Sequence, residues 1–216
     1  MTTKFVPALR FAWLTDAYDF FLSLTFPERK IKQSLIDQMS LNGSETILDF
    51  GCGTGTLAIM LKEQYPRLNV IGVDVDDKII AIAESKIRQK GLQISVRKYD
   101  GEDLSAFGIQ QFDKIVSSLV FHHLPTRNKR MVLSQLYKLI KPEGELHIAD
   151  FGKPKTLYTQ SAFGLLRRFD GVENTAVNVN GLLPRFIKDS GFFKAEIVQS
   201  FNTAFGTIDL INAFKS

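Results

Sequence analysis

Thr46-Ile47-Leu48-Asp49-Phe50-Gly51-Cys52-Gly53-Thr54-Gly55-Thr56 is the stretch from which the fold is read. A short apolar, β-prone run ends in an acid, and glycines then occupy alternate positions at 51, 53 and 55. Beyond Gly55 the apolar residues Leu57, Ile59, Met60 and Leu61 fall at helical spacing until Tyr65-Pro66. Strand, glycine turn and helix in succession let backbone approach a nucleotide closely at a helix N-terminus. A Cβ there would clash with the ligand or forbid the turn. Such a loop by itself also fits a purely structural turn, so its surroundings decide.

Working outward, Asn69-Val70-Ile71-Gly72-Val73-Asp74 reads as a second buried strand that ends in a carboxylate and continues into Val75. Asp74 stands 19 residues after Gly55, about where dinucleotide-type folds place the acid that accepts hydrogen bonds from ribose hydroxyls. Ile94 to Tyr99 reads as a third strand opening into Asp100-Gly101-Glu102-Asp103, an acid-and-glycine end suited to an adenine edge. Between these strands Asp76-Asp77 start a helix by capping, with Ile79, Ile80, Ile82, Ala83 and Ile87 as its buried stripe. Leu104 to Gln111 is a loop or short helix. Pro125 opens another helix with Met131, Leu133, Leu136, Leu139 and Ile140 inward and a stop at Lys141-Pro142. Strands alternating with helices predict a parallel, doubly wound α/β sheet. Asp49, Asp74, Asp100, Ser118 and Asp150 all fall at strand carboxyl ends, where such sheets hold ligands.

Leu48 to Gly55 resembles the first motif of class I S-adenosylmethionine (SAM) dependent methyltransferases, an acid followed by G-x-G-x-G. Asp74 resembles that family's ribose acid and Asp100-Gly101 its adenine contact. Phe112 to Ser118, with Leu119 to Leu124, resembles its fourth strand and following loop, and Lys141 to Asp150 the turn into its fifth. The correspondence covers roughly residues 44 to 151 in order. Tyr18-Asp19 and the helical stretch after it resemble, faintly, the quinone-methylating branch. The resemblance implies a mostly parallel seven-stranded sheet with a closing antiparallel strand. It also implies SAM as cofactor and S-adenosylhomocysteine (SAH) as product. The implied contacts are Tyr18, Asp49, Gly51, Cys52, Gly53, Thr54, Gly55, Asp74, Val75, Asp100, Gly101, Glu102, Ser117 and Ser118. A NAD-binding loop would carry its third glycine one residue later. Asp49 fits the SAM reading, holding the cofactor's ammonium group directly or through water.

Length and composition bound the rest. The 216 residues suffice for one good-sized α/β domain, and 44% apolar with 23% charged content is ordinary for a globular chain. No apolar run approaches a spanning helix, and Asp16 and Asp19 interrupt any leader-like stretch, so a cytoplasmic protein without a transmembrane segment is expected. The single cysteine, Cys52, excludes an internal disulfide. The net charge of +4 comes without a basic block, which argues against a nucleic-acid partner. It leaves a solvated basic face, or weak attraction to an anionic membrane surface or an acidic substrate. Nothing in the sequence fixes the oligomeric state.

Residues 1–42 are rich in aromatics, among them Phe5, Phe11, Trp13, Tyr18, Phe20, Phe21 and Phe26, and end in a helix from about 27 to 40. They read as an N-terminal helical lid that also packs on the domain; residues 43–216 form the SAM-binding domain. The insertion 152–180, with a helix ending near Asp170-Gly171, reads as the acceptor-side cover. Leu182 to Gly191 reads as the last helix, and Phe192 to Phe201 with Thr203 to Asn212 as a closing hairpin.

Transfer from a sulfonium is an in-line displacement, so alignment supplies most of the acceleration, and a base helps only where the acceptor loses a proton. His122 and His123, on the loop after the fourth strand, are the candidate bases, although a His-His-Leu loop in this family often only shapes the pocket. His147 reads as a packed strand residue. Asp150 reads as an acceptor-orienting carboxylate or a structural cap, and Tyr18 and Asp19 as a closure over the methionine part of SAM or as arm packing. No Asn/Asp-Pro-Pro-aromatic tetrapeptide and no Pro-Cys pair follow the fourth strand, so a small, fairly apolar or lipid-like acceptor is expected and no metal site. The other reading is a catalytically silent module that binds SAM or SAH to regulate or to interact.

Overall fold

The computed structural model describes residues 27–156 and 172–216. Among them, β1 (Thr46–Phe50), β2 (Asn69–Asp74), β3 (Ser95–Lys98) and β4 (Phe112–Ser118) are parallel, and β5 (Ile140–Phe151) continues them. The chain then closes with β6 (Lys194–Thr203) and β7 (Gly206–Phe214), and β7 runs antiparallel between β5 and β6. The order is β3-β2-β1-β4-β5-β7-β6. The chain winds outward from β1 to β3 and then returns to the other side of β1 at β4. Ligands of open sheets settle at the carboxyl ends of the strands where winding reverses, which here are β1 and β4.

Strand alternation sorts the apolar residues into two layers. Leu48, Val73 and Ile115 face one core, and their chain neighbours or near neighbours Ile47, Val70 and Val116 face the other. The first core is covered by α4 (Thr126–Leu139) and α6 (Leu183–Asp189) through Leu133, Leu136, Phe186 and Ile187. The second is covered by α1 (Glu28–Asp37) and α2 (Thr56–Gln64). In α1 the buried residues Ile31, Leu35 and Ile36 repeat at helical spacing, and with Met39 they pack among Leu57, Leu61 and Ala149. Residues 28–39 are therefore a structural layer of the domain. The remainder of the expected lid, including Tyr18 and Asp19, lies outside the described residues, as does 157–171 of the insertion.

Two helical stripes differ from expectation. In α3 (Asp77–Gln89), which Asp76 caps by accepting from the amides of Lys78 and Ile79, only Ala83 and Ile87 are buried. Ile79 and Ile80 are half-buried and Ile82 is 45% exposed. The helix lies over the sheet margin, where β3 is largely exposed and β2 offers Gly72, so a narrow strip is all it can cover. In α4, Val132 takes the inward place expected for Met131. The helix also stops at Leu139, with Ile140 already extended, so Pro142 lies inside β5 rather than ending the helix.

Candidate active site

The glycine loop is shaped by two different requirements. Gly51 and Gly53 both hold left-handed backbone, at φ 72° and 55°. At Gly51 a Cβ would overlap the side chain of Val120, which belongs to the loop after β4. At Gly53 nothing lies within 4 Å of an added Cβ. Gly51 thus lets two loops touch, while Gly53 leaves a bare concavity beside them. The amides of Gly51 and Cys52 both donate to the Val73 carbonyl at 2.9 Å, fixing the loop to the end of β2.

Asp74 completes that fixation. Its Oδ2 accepts from the Gly53 amide at 2.9 Å, and its Oδ1 from the amides of Val75 (2.8 Å) and Asp76 (3.2 Å). A carboxylate offers about four acceptor positions, so three amides orient this one and leave capacity for a ligand hydroxyl. Tyr99 N–H donates to the Asp74 carbonyl at 2.8 Å, which sets Asp100 beside the same rim. Asp100 is exposed, and its Oδ1 accepts from the amides of Glu102 (2.8 Å) and Asp103 (2.9 Å). Those donors hold its carboxyl below the usual range. Val75 is half-buried, and Gly101, at φ 91°, makes the turn into exposed Glu102.

Asp49 is the most unusual group in the loop. It is 1% exposed, and its Oδ2 has no hydrogen-bond partner. Burial pushes its pKa up to about 7, against the opposing influence of the Lys32 ammonium and the Ala58 amide at the start of α2. A buried acceptor without a donor costs about 1–3 kcal/mol, which a cationic ligand group can remove. An orphaned acid beneath the glycines, a three-amide acid at the end of β2 and an open cradle at Gly53 fit a nucleoside that carries an ammonium group.

Other expected contacts have internal roles. Ser117 is fully buried and its hydroxyl donates to the Phe50 carbonyl at 2.9 Å, linking β4 to β1; Ser118 is half-buried at the strand end. The Cys52 thiol packs against Gly72, where an added Cβ would come within 2.9 Å of Sγ, and burial pushes its pKa up. Thr54 Oγ1 accepts from Lys86 Nζ of α3 at 2.8 Å. Gly55, at φ 76°, is the N-cap of α2.

Asp150, 1% exposed, is the hub that holds the loop after β4. Its Oδ2 accepts from the amides of Val120 (3.1 Å) and Phe121 (2.6 Å). Its Oδ1 lies 2.9 Å from His122 Nδ1 and accepts from Asn178 Nδ2 at 3.1 Å and Phe151 N at 2.7 Å. Burial alone would raise its pKa, but the His122 imidazole, the Phe151 amide and Lys129 hold it below the ordinary value. With Asp150 ionised, Nδ1–H of His122 donates, which leaves Nε2 as the lone-pair nitrogen of the neutral ring. His122 is 4% exposed, edge-on to Phe151 at 4.8 Å, and stacks at 3.9 Å on exposed His123. His147 is fully buried, 2.8 Å from Glu145 Oε2 and 3.1 Å from Gln38 Nε2, a packed strand residue as expected.

Sequence reasoning missed three residues here. Asn178 of α5 (Val172–Val179) also donates to the Phe151 carbonyl at 3.1 Å; its signal was a polar residue between Val177 and Val179. Lys129, fully buried in α4, donates to the Leu124 carbonyl at 2.5 Å, and burial pulls its pKa down to about 8. A lysine on the inward face of a helix was visible in the sequence. Lys86 gave no signal, because its Thr54 contact joins elements distant in sequence.

Residues 47–144 match the model of a methyltransferase domain. Over that stretch, which runs from β1 into β5, the chain is similar to methyltransferase domains. The demethylmenaquinone methyltransferase of Thermus thermophilus is 31% identical over 137 residues, 63% of this chain and 59% of that protein. A malonyl-[acyl-carrier protein] O-methyltransferase of Priestia megaterium is 30% identical, covering 58% of this chain and 44% of its own. The chain thus spans about half the length of the curated relatives it matches. A SAM-dependent methyltransferase from Methanosarcina mazei shares the fold, with a TM-score of 0.67 and 20% identity over 83% of this chain and 96% of that one. No helix of the described residues is long and apolar enough to cross a membrane.

Proposed function

We propose that this protein transfers a methyl group from SAM to a small, fairly apolar or lipid-like acceptor. The orphaned, fully buried Asp49 carboxylate beneath the glycine loop carries the reading, because it marks where a cationic ligand group completes an unsatisfied site. Asp49 holds the ammonium group directly or through water, Asp74 accepts from the ribose hydroxyls, and Asp100 with Gly101 meets the adenine edge. Gly53 lets backbone lie against the nucleoside. The bound cofactor supplies a methyl group already activated by a positive sulfur.

Opposite it, the loop after β4 bounds the acceptor. Asp150 fixes that loop through two amides and an imidazole, and so acts as a positioning residue. His122 Nε2 is the group able to receive a proton from an acceptor that must lose one, a step worth about 10²–10⁴-fold where needed. Orienting the acceptor in line with the departing sulfur contributes more, up to about 7–11 kcal/mol. The relatives named for demethylmenaquinone support an apolar acceptor for this rim. The aromatic-rich residues 1–26 and the insertion 152–180 are the proposed covers.

The test is calorimetric titration with SAM and SAH, followed by incubation of labelled SAM with fractionated cell extract. Micromolar binding that Asp74→Ala abolishes, with a labelled small product, is the expected result. Unchanged affinity in Asp74→Ala would remove the ribose assignment. Tight binding with no labelled product in any fraction would favour a silent SAM-binding module.

A further inference from the structure

A second concave site lies away from the glycine rim, between α4, α5 and α6. It is an open cavity of about 390 Å³, at the small end of the range of small-ligand pockets. Its floor is apolar, built from Val177, Leu182 and the largely buried Phe186. Among the described residues its polar margin is cationic: Arg130 comes from α4 and Arg185 from α6, and none of the described lining residues is acidic. Arg130 Cζ rests 4.4 Å over the Phe186 ring, which fixes the guanidinium against the apolar floor. Among the described residues neither arginine is joined to a carboxylate, although other basic residues of the surface, Arg88 and several lysines, pair with acids.

We infer that this cavity binds a small amphipathic anion, a phosphate monoester whose hydrocarbon part lies on the exposed Leu182 and whose head meets both guanidiniums. Arginine forks match phosphate oxygens two at a time, and the three terminal oxygens of a phosphate monoester spread over a tetrahedral face that two guanidiniums from different helices can approach, whereas a carboxylate presents two oxygens in one plane and less charge. The apolar floor excludes a fully hydrated ion as the better ligand, because it gains only by covering hydrocarbon. The inference does not depend on methyl transfer, since none of these residues belongs to the SAM rim. It does touch the acceptor wall, because α5 presents Val177 to this cavity and Asn178 to Asp150.

Hexyl phosphate is titrated into the full chain by calorimetry, beside hexanol, hexanoate and inorganic phosphate. The expected result is saturable binding of hexyl phosphate, at least tenfold tighter than each of the other three. Arg130→Ala and Arg185→Ala should each weaken it about ten- to a hundredfold, the scale of a charge-assisted hydrogen bond, with SAH affinity and melting temperature retained as evidence of folding. Absence of saturable binding, or equal binding by the double variant, overturns the inference. So does equal affinity for hexanol. Sedimentation with phosphatidylglycerol vesicles separates the two sources of such a head group. Arginine-dependent pelleting without binding of monomeric hexyl phosphate would refute a cavity ligand in favour of a membrane surface.

Discussion

Replacing Asp49 with asparagine separates the cost of this buried acid from its use. Burial raises its pKa from 3.8 to about 7, so the folded chain binds a proton there that the unfolded chain releases. Stability from this group is therefore greatest below about pH 4 and declines as pH rises to about 7, above which the full cost is present. Three pKa units correspond to about 4 kcal/mol. Asparagine removes the charge but leaves an unpartnered buried amide, costing about 1–3 kcal/mol. The ligand-free variant should thus be about 2 kcal/mol more stable than the parent at pH 8, about 4–8 °C in melting temperature for a chain of this size. At pH 5.5 the parent is already protonated and the gain should shrink to near zero. Scanning calorimetry at both pH values reads the difference. Saturating SAH should reverse the order at pH 8, since ligand at about 100 times Kd adds about 2.7 kcal/mol to whichever protein binds it. A variant that melts below the parent by the same margin at both pH values would refute this account of Asp49.

Three other perturbations follow from the geometry. Gly53→Ala should lower the melting temperature by only a few degrees, from its left-handed backbone, while weakening SAH binding more than tenfold; Gly51→Ala, which meets Val120, should cost about 2 kcal/mol or more in urea unfolding. Asp150→Ala leaves buried amides and an imidazole without their acceptor, and should destabilise by about 3–5 kcal/mol in the same assay. Because the Asp150 pKa is depressed on folding, its contribution is present above about pH 4 and lost as pH falls through the folded value, so the gap to the parent should narrow in acid. Cys52 should resist iodoacetamide at pH 7.5 in the native protein and react at the rate of an open thiol in urea, since burial suppresses the thiolate.

How much of this could be read beforehand depended on what carried the signal. β1, β2 and β4 were legible because buried parallel strands are continuous β-branched runs whose ends are marked by Asp49, Asp74 and Ser118. The acids of the rim were legible for the same reason, since a strand end fixes a place in space. The α3 stripe was misjudged because periodicity shows which residues share a face, and not how much protein stands opposite; the margin of the sheet covers Ala83 and leaves Ile82 in solvent. Ser117 was expected as a cofactor contact from the resemblance, and its buried hydroxyl is turned instead to the Phe50 carbonyl. Asp150 was legible as an acid at a strand end, but its engagement by Val120, Phe121, His122 and Asn178 was not. Those partners come from a loop and a helix that only the closed fold brings together.

The convergence on Asp150 has a kinetic corollary. Immobilising a residue costs about 1–2 kcal/mol of backbone entropy, and here that cost is met while the chain folds, before any ligand arrives. Three successive residues, Val120 to His122, are already held in place behind the surface that an incoming molecule meets. Encounter on this side should accordingly be lock-like, with slow ordering confined to segments the carboxylate does not reach.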